Sequence, residues 1–216
     1  MLLKQKLLVF PTSRSIRSFL DGQKSDITLL PFTLTIDEFF KKSIEFNNKK
    51  YIDEEQRFLF LKESIKNVDI SKLGISDNFT KFLKQNEYIY RFFLELASEK
   101  VDINEIKTAD TYDYYYEHLE ILTQIRKNYL ELLEKNSCVD RLNMHQYYKI
   151  NENFLKKFKS IDLVFEGYFT KVEFDIICEV SKHIELSVEF YSNEYNQKSL
   201  KNISNYINAD FELNKK

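Results

Sequence analysis

The residues best suited to chemistry follow a short apolar run, Leu7–Phe10, where Pro11 precedes the turn Thr12-Ser13-Arg14-Ser15. A strand that passes through a short turn into a helix is where P-loop enzymes hold phosphates. That chemistry requires Gly-x-x-x-x-Gly-Lys-Ser/Thr, because glycines let backbone N–H groups surround the phosphates and the lysine supplies charge. The turn contains neither glycine nor lysine. We therefore interpret it as a degenerate phosphate loop that binds no cofactor.

Two arginines, Arg14 and Arg17, lie within and just after this turn. A helix N-terminus carries free N–H groups and a partial positive charge, so it suits an anion when guanidinium groups are beside it. The alternative is a plain strand-to-helix turn without a ligand. Arg14 and Arg17 are accordingly candidate DNA-contacting residues that would meet a phosphate.

A second candidate position is Glu166, the acid that ends the apolar run Ile161–Phe165. An apolar strand that ends in an acid is the pattern of the Walker B motif, whose carboxylate binds magnesium. A complete motif would show Asp-Glu, whereas this chain has Glu166-Gly167. The pattern favours a loop carboxylate over a magnesium ligand, and no metal site is predicted.

The histidines and cysteines are scattered along the chain. His118, His145 and His183 show no His-x-x-x-His or Glu-x-x-His spacing, which would place two ligands on one helix face. They are expected at helix surfaces or helix ends. Cys138 and Cys178 are too few for a disulfide framework, which fits a reducing compartment, and both are expected in the core.

Two further stretches have a nucleic-acid interpretation and a structural one. Tyr112 and Tyr114-Tyr115-Tyr116 could stack on bases, yet Asp110 and Asp113 would repel phosphates, so packing against a neighbouring helix is favoured. The basic stretch Lys156-Lys157-Phe158-Lys159 could meet DNA, and a solvated helix end explains it equally well.

The elements that must position these residues follow from short apolar runs and capping signals. Leu7–Phe10 and Ile27–Leu30 are each bounded by a proline and predict interior strands, with a helix between them. A strand–helix–strand unit of this size implies a parallel sheet with a right-handed crossover. Thr35 with Glu38 three residues later predicts a capping box that starts the next helix.

The middle of the chain has helical periodicity, and strands return near its end. Helices are predicted over four segments: Ile52–Ile65, Phe79–Ala97, Tyr112–Leu133 and Val139–Phe158. Ile161–Phe165 then predicts a strand, Thr170 caps a helix through His183, and Ile184–Tyr191 alternates as a strand does. The fold class expected is α/β, with residues 1–45 and 159–216 forming a parallel-sheet core and residues 46–158 an inserted helical subdomain.

Composition narrows the class of protein. The 216 residues are 43% hydrophobic, which suffices for a sizeable core, and the formal charge is only −2. No global field therefore attracts nucleic acid or an anionic membrane, and any DNA contact must be local. No run approaches the ~20 apolar residues that span a bilayer, and the first residues lack a cleavage site. We expect a cytoplasmic protein without membrane contact.

Three of these segments together resemble the N-terminal part of AddB-type subunits, the RecB-like or RexB-like members of bacterial helicase–nuclease complexes. They are Leu8-Val9-Phe10-Pro11-Thr12-Ser13-Arg14, Leu30-Pro31-Phe32-Thr33-Leu34-Thr35-Ile36-Asp37-Glu38-Phe39-Phe40 and Ile161-Asp162-Leu163-Val164-Phe165-Glu166-Gly167-Tyr168-Phe169-Thr170-Lys171-Val172-Glu173. Their order and spacing are similar to that family's. The helical middle of the chain carries no such likeness.

The resemblance implies a superfamily 1 helicase-like first domain, with a RecA-like parallel sheet interrupted by a helical subdomain. It also implies a role in recombination repair of double-strand breaks, with an AddA-type helicase–nuclease subunit and DNA ends as partners. Some members keep a nucleotide-binding loop, from which this chain departs. The family's nuclease motifs have no counterpart here, so the chain would be an N-terminal part of a longer protein. That longer protein could be an ATP-dependent exonuclease subunit.

Three functions compete at this point. The first is a non-catalytic helicase-like module that binds DNA ends or scaffolds the complex. The second is a purely structural interaction domain with no affinity for DNA. The third is a nucleotide-dependent enzyme with an unusual loop, which lacks a residue to replace the missing lysine.

Overall fold

The structure, a computed structural model, describes residues 5–22, 30–76, 78–107, 115–190 and 201. The chain divides into two compact units: unit 1 comprises Met1–Glu45 and Lys149–Lys216, and unit 2 comprises Phe46–Tyr148. No helix within the described ranges is long and apolar enough to cross a membrane.

The described elements follow one another from the first strand near the N-terminus to a strand near residue 190. In chain order they are β1 (Gln5–Phe10), α1 (Ser13–Gly22), β2 (Phe32–Thr35), α2 (Ile36–Ser43), β3 (Ile44–Phe46), β4 (Lys50–Tyr51), α3 (Glu54–Ser64), α4 (Phe79–Ser98), α5 (Ile103–Lys107), α6 (Tyr116–Lys135), β5 (Cys138–Val139), β6 (Tyr148–Ile150), α7 (Glu152–Leu155), β7 (Phe158–Phe165), α8 (Lys171–Ser181) and β8 (Glu185–Phe190). Single 3-10 turns occur at Ser71–Leu73 and Met144–Gln146.

Unit 1 is built on a four-stranded sheet with the strand order β2-β1-β7-β8. Every neighbouring pair in it is parallel. The predicted α/β class with a parallel sheet is therefore confirmed, and the arrangement is compatible with a Rossmann-like fold. Two smaller sheets pair β3 with β6 and β4 with β5.

The two faces of the large sheet differ in burial. Leu7 of β1 pairs with Ile161 of β7, and the next inward pair is Val9 with Leu163; all four side chains are fully buried. The opposite face pairs Leu8 with Asp162 and is only partly covered. Connections between parallel strands are right-handed in nearly all proteins, which indicates that α1 and α8 lie on opposite faces of the sheet. Helix α1 contributes no buried side chain, whereas α8 contributes five.

Both predicted capping boxes are present. Thr35 accepts a hydrogen bond from the N–H of Glu38 at the start of α2, and the Glu38 carboxylate accepts the N–H of Thr35. Thr170 and Glu173 make the same reciprocal pair at the start of α8. These local signals set the two helix starts independently of the rest of the fold.

The strand described after α1 begins beyond Pro31. Residues 27–29 of the predicted strand Ile27–Leu30 lie outside the described residues, and Leu30 is not in a strand. This strand, β2, pairs with the edge of β1 that faces away from β7. The register runs from Leu7 opposite Phe32 to Phe10 opposite Thr35. Proline lacks an N–H, so the ladder begins only after Pro31, and the β-branched threonines that follow suit an edge strand.

Unit 2 is mainly helical, and its core lies among α3, α4 and α6. Helices over Ile52–Ile65 and Phe79–Ala97 were predicted, and α3 and α4 match them closely. Among the described residues, six large side chains of this core are 0% exposed: Leu61, Phe82, Phe93, Ile125, Tyr129 and Leu133. The predicted start of α6 at Tyr112 lies outside the described residues, and the helix runs on from Tyr116.

The helix predicted over Val139–Phe158 is wrong. That stretch contains β5, a 3-10 turn, β6 and the single-turn helix α7. Asp140 and Asn143 cause the interruption, because their side chains accept the N–H groups of Leu142 and Asp140 respectively. Such local bonds compete with helix formation.

Candidate functional site

The carboxyl ends of β1 and β7 form the candidate site of unit 1. These strands are neighbours, and the chain leaves them in opposite directions, from β1 to β2 and from β7 to β8. This is a topological switch point, outside which open α/β sheets commonly bind ligands. The turn Thr12–Ser15 follows β1, and Glu166 follows β7. The structure thus places both predicted positions after adjacent strands.

The connection between β1 and α1 is only two residues long, Pro11 and Thr12. Thr12 caps the helix: its Oγ1 accepts the N–H of Ser15 at 3.1 Å and lies 3.0 Å from the Ser15 hydroxyl oxygen. Its carbonyl accepts the N–H of Ile16 at 3.2 Å. The Thr12 side chain thus occupies the N–H of Ser15, one of the backbone donors at the start of α1.

Arg14 and Arg17 are both exposed on the first two turns of α1. Residues three apart on a helix share one surface, so the two guanidinium groups can act on the same ligand. Neither makes an ion pair with any residue that the structure describes. The inner side of α1 is held by Phe19, whose ring lies 5.1 Å from that of Phe10. Both arginines are consequently exposed and outside the ion pairs of the described residues.

Glu166 is exposed, and the chain turns sharply after it at Gly167, whose φ is +110°. This left-handed conformation is easy for glycine and strained for other residues. In the described ranges, no three His, Cys, Asp or Glu side chains group closely enough to hold a metal ion. Glu166 lies in the loop between β7 and α8.

An aromatic cluster closes the end of β7, and the sequence patterns did not indicate it. Phe169 is only 3% exposed and stacks on Phe165, with ring centroids 3.8 Å apart. It also makes edge contacts with Phe40 of α2 at 6.1 Å and Phe174 of α8 at 5.4 Å. Stacked and edge-on rings at these distances are favourable and exclude water. The loop after β7 is therefore anchored by apolar contacts.

A polar row crosses the half-covered face of the sheet. Asp162 accepts a hydrogen bond of 2.7 Å from the Ser187 hydroxyl and forms an ion pair with Lys6. Parallel strands are usually apolar on both faces, so a carboxylate in the second half of β7 is a departure. The alternation in β7 permits it, because Asp162 points away from the buried face.

The histidines and cysteines stay apart. The ring of His118 lies 5.6 Å from that of Tyr115, His145 lies in a 3-10 turn, and His183 Nδ1 is 3.8 Å from a Glu152 oxygen. Cys138 is buried in unit 2, as expected. Cys178 is only half-buried on α8 of unit 1, and burial raises the pKa of its thiol.

The tyrosine stretch and the basic stretch differ in how much of each the structure describes and in how they are packed. Tyr112 and Tyr114 lie outside the described residues, while Tyr115 and Tyr116 are each about half exposed. The favoured packing of these last two against a helix is thus incomplete. Lys156 follows the last residue of α7 and pairs with Glu152 at 2.7 Å, as a solvated helix end would. Lys157 and Lys159 are exposed, whereas Phe158 is buried in β7.

A shallow groove on unit 2 lies apart from all of the predicted positions. It has a volume of about 500 Å³ and is lined by the end of α3, the residues just after it and the second half of α6. Asn128 crosses it and donates to the carbonyl of Ser64 at 2.9 Å. Its charged lining is of mixed sign, which indicates no particular ligand class.

Compared with models of known protein families, and with curated proteins, the chain matches none.

Proposed function

We propose that this chain is a non-catalytic, helicase-like module of a helicase–nuclease complex that processes DNA double-strand breaks. Its role is to bind DNA ends or to scaffold the complex for recombination repair, with an AddA-type subunit as partner. The proposed fold is RecA-like, of the superfamily 1 helicase type, with unit 2 as the inserted helical part. A cytoplasmic location follows from this role.

One observation carries the proposal: the turn at the switch point contains neither glycine nor lysine, and two exposed arginines lie at the start of α1. The Thr12 side chain engages the N–H of Ser15 at the start of α1, which supports a role without nucleotide hydrolysis. Arg14 and Arg17 remain able to contact phosphates of a DNA strand, since neither is used in an ion pair within the described part of the chain. A site that can contact a phosphate but lacks the residues for nucleotide hydrolysis suits a protein that holds DNA.

Fluorescence anisotropy with labelled single-stranded and blunt-ended duplex DNA tests this proposal. Each arginine that neutralises a phosphate adds roughly 0.7 to 0.9 to the slope of log affinity against log salt. The variant Arg14→Ala/Arg17→Ala should therefore bind more weakly, with a slope about 1.5 smaller. The chain's overall charge is close to neutral, so binding is expected only at low to moderate salt.

A matched control exists on α4 of unit 2. Lys81 and Lys84 are exposed, three residues apart, and free of ion pairs in the described part of the chain, like the two arginines. Lys81→Ala/Lys84→Ala removes the same charge and should leave affinity nearly unchanged. Equal losses in both double variants would mean that only net charge matters, which contradicts a contact at α1.

A structural interaction domain is the second candidate, and exposed apolar side chains favour it. Phe79 and Leu83, one turn apart on α4, are each more than half exposed. Phe79 contacts Phe58 edge-on at 5.3 Å, so the pair extends the unit 2 core to the surface. Absence of DNA binding at any salt, together with binding of an AddA-type subunit that Phe79→Ala/Leu83→Ala abolishes, would establish this function instead.

A further inference from the structure

Helix α1 is anchored by much less apolar burial than helix α8. None of the side chains of α1 is buried, and its apolar residues Ile16, Phe19 and Leu20 are only half-buried. In α8, five apolar side chains are buried: Val172, Phe174, Ile176, Ile177 and Val180. Most helices in proteins are stabilised by the packing of an apolar face rather than by their own propensity. The apolar face of α1 therefore contributes little of this stabilisation.

The strand that leads into α1 is firmly held by contrast. β1 pairs with β2 on one side and β7 on the other, and its residues Leu7 and Val9 are fully buried. Phe10 at its end is only 7% exposed, and its ring centroid lies 5.1 Å from that of Phe19. The boundary between the firmly packed sheet and the weakly anchored helix thus falls in the turn after Phe10.

The sequence of α1 adds little stability of its own. The helix has ten residues, and isolated helices shorter than ~12–15 residues are marginal in water. Three of the ten are serines, Ser13, Ser15 and Ser18, and serine favours a helix less than alanine does. The helix consequently depends on its cap and on its few contacts with the sheet.

The charges of α1 oppose its dipole. Arg14 lies in the first turn and Asp21 in the last turn. A helix carries a partial positive charge at its N-terminus and a partial negative charge at its C-terminus, so both positions are unfavourable. An anion held by Arg14 and Arg17 would place negative charge near the N-terminus, where it is stabilising. Anion binding should therefore stabilise α1.

We propose that α1 is a detachable helix, which opens from the sheet while β1 and α8 stay folded and closes when Arg14 and Arg17 bind DNA phosphate. In the open form α1 loses its helical hydrogen bonds and its contact with Phe10. The two guanidinium groups share one surface only while the helix is formed. DNA thus binds the closed form more tightly, and this difference in affinity shifts the equilibrium. The inference rests on the proposed function only in so far as the closing ligand is DNA.

Native-state hydrogen exchange of the whole chain, followed by NMR at low urea concentrations, tests the opening. One fully buried apolar side chain corresponds to roughly 10- to 150-fold in an opening equilibrium. The amides of Phe19 and Leu20 should therefore exchange at least about 100-fold faster than those of Ile176 and Ile177. Their rates should also depend weakly on urea, because a local opening exposes little surface. Equal rates, or an equally steep dependence on urea, would overturn the proposal.

Two substitutions of Ser18 form a matched pair for the same measurement. Ser18 is exposed, and neither Ser18→Ala nor Ser18→Gly changes the charge of α1. Alanine favours and glycine disfavours a helix, so the amides of Phe19 and Leu20 should exchange about 5-fold faster in the glycine variant than in the alanine variant. Exchange of the α8 amides should be the same in both. Equal exchange of the α1 amides in the two variants would show that the helix is not what opens.

The closing is tested by adding single-stranded oligothymidylate at 100 times its dissociation constant, measured by fluorescence anisotropy at the same salt. A ligand that binds only the closed form slows exchange through the open form by about 100-fold at this concentration. The amides of Phe19 and Leu20 should slow by that factor in the parent chain. At the same DNA concentration, Arg14→Ala/Arg17→Ala should show clearly less slowing, because it binds DNA more weakly.

The outcomes separate this inference from the proposed function. If DNA binds through Arg14 and Arg17 but α1 exchanges as slowly as α8, the proposed function stands and the detachable helix is wrong. If α1 opens and DNA binds without slowing its exchange, the closing by DNA is overturned. If the parent chain binds no DNA at any salt, the proposed function and the closing by DNA are both overturned, and the exchange rates alone decide whether α1 opens.

Discussion

Tyr129 donates a hydrogen bond of 2.6 Å to Oδ2 of Asp140, and both side chains are buried in unit 2. Tyr90 donates to the same oxygen at 3.2 Å, and the guanidinium of Arg57 lies 3.8 Å from the centre of the Tyr90 ring. A buried carboxylate is stable only when donors surround it. This network therefore joins α4, α6 and the turn after β5 into one unit.

Removal of the Tyr129 hydroxyl should destabilise unit 2. Tyr129→Phe leaves a buried carboxylate short of one donor, which costs about 1–3 kcal/mol. Urea unfolding followed by circular dichroism measures the loss. Tyr147→Phe is the control, because the Tyr147 hydroxyl donates to the exposed carboxylate of Glu134 at 2.8 Å, where water can replace it. Similar losses in both variants would contradict a special role for the buried bond.

The stability contributed by Asp140 should depend on pH. Burial raises the pKa of Asp140 above its ordinary value of 3.8, against the lowering effect of Tyr129, Leu142 and Tyr90. A folded-state pKa above the unfolded one means that the folded state binds more protons, so stability falls as pH rises between the two values. The free energy of unfolding of the parent chain, relative to Asp140→Asn, should decrease upward from about pH 4. If the free energy of unfolding of the parent chain, relative to Asp140→Asn, instead rises with pH, the hydrogen bonds to Asp140 lower its pKa more than burial raises it.

The cap of α8 should contribute measurable stability to unit 1. Thr170→Ala removes the acceptor of the Glu173 N–H and should cost about 0.5–2 kcal/mol in the free energy of unfolding. Thr170→Ser keeps the hydroxyl and should be close to the parent chain. Thermal unfolding compares the stability of the parent chain, Thr170→Ser and Thr170→Ala. If the serine variant loses as much stability as the alanine variant, the effect belongs to the methyl group of Thr170 and not to its hydroxyl.

The aromatic cluster beyond β7 should be essential for the loop that carries Glu166. Phe169→Ala removes a buried ring that touches Phe165, Phe40 and Phe174, and should cost about 3–5 kcal/mol. Phe169→Leu fills most of the space and should cost clearly less. Denaturant unfolding measures the free energy of unfolding of both variants and checks that the alanine variant loses more than the leucine variant. A small effect of the alanine variant would mean that the loop is held by another contact.

Much of unit 1 could be predicted because its signals are local. The strand β1 has a compact apolar run, and the helices α2 and α8 begin at Thr–Glu pairs three residues apart. The reciprocal bonds of a capping box depend on four consecutive residues only. The pairing of β1 with β7, between Leu7 and Ile161, follows the expected parallel arrangement but spans most of the chain.

The sequence by itself determined the starts of α2 and α8, the parallel α/β class and the absence of glycine and lysine from the turn after β1, because each depends on neighbouring residues or on composition. Only the tertiary structure decided that β2 begins after Pro31, that Phe169 folds back on Phe165, and that Asp140 is buried. Asp140 receives bonds from Tyr90 and Tyr129, which are 50 and 11 residues away. No local pattern encodes such partners, since the free energy of a buried carboxylate depends on donors that only chain folding brings together.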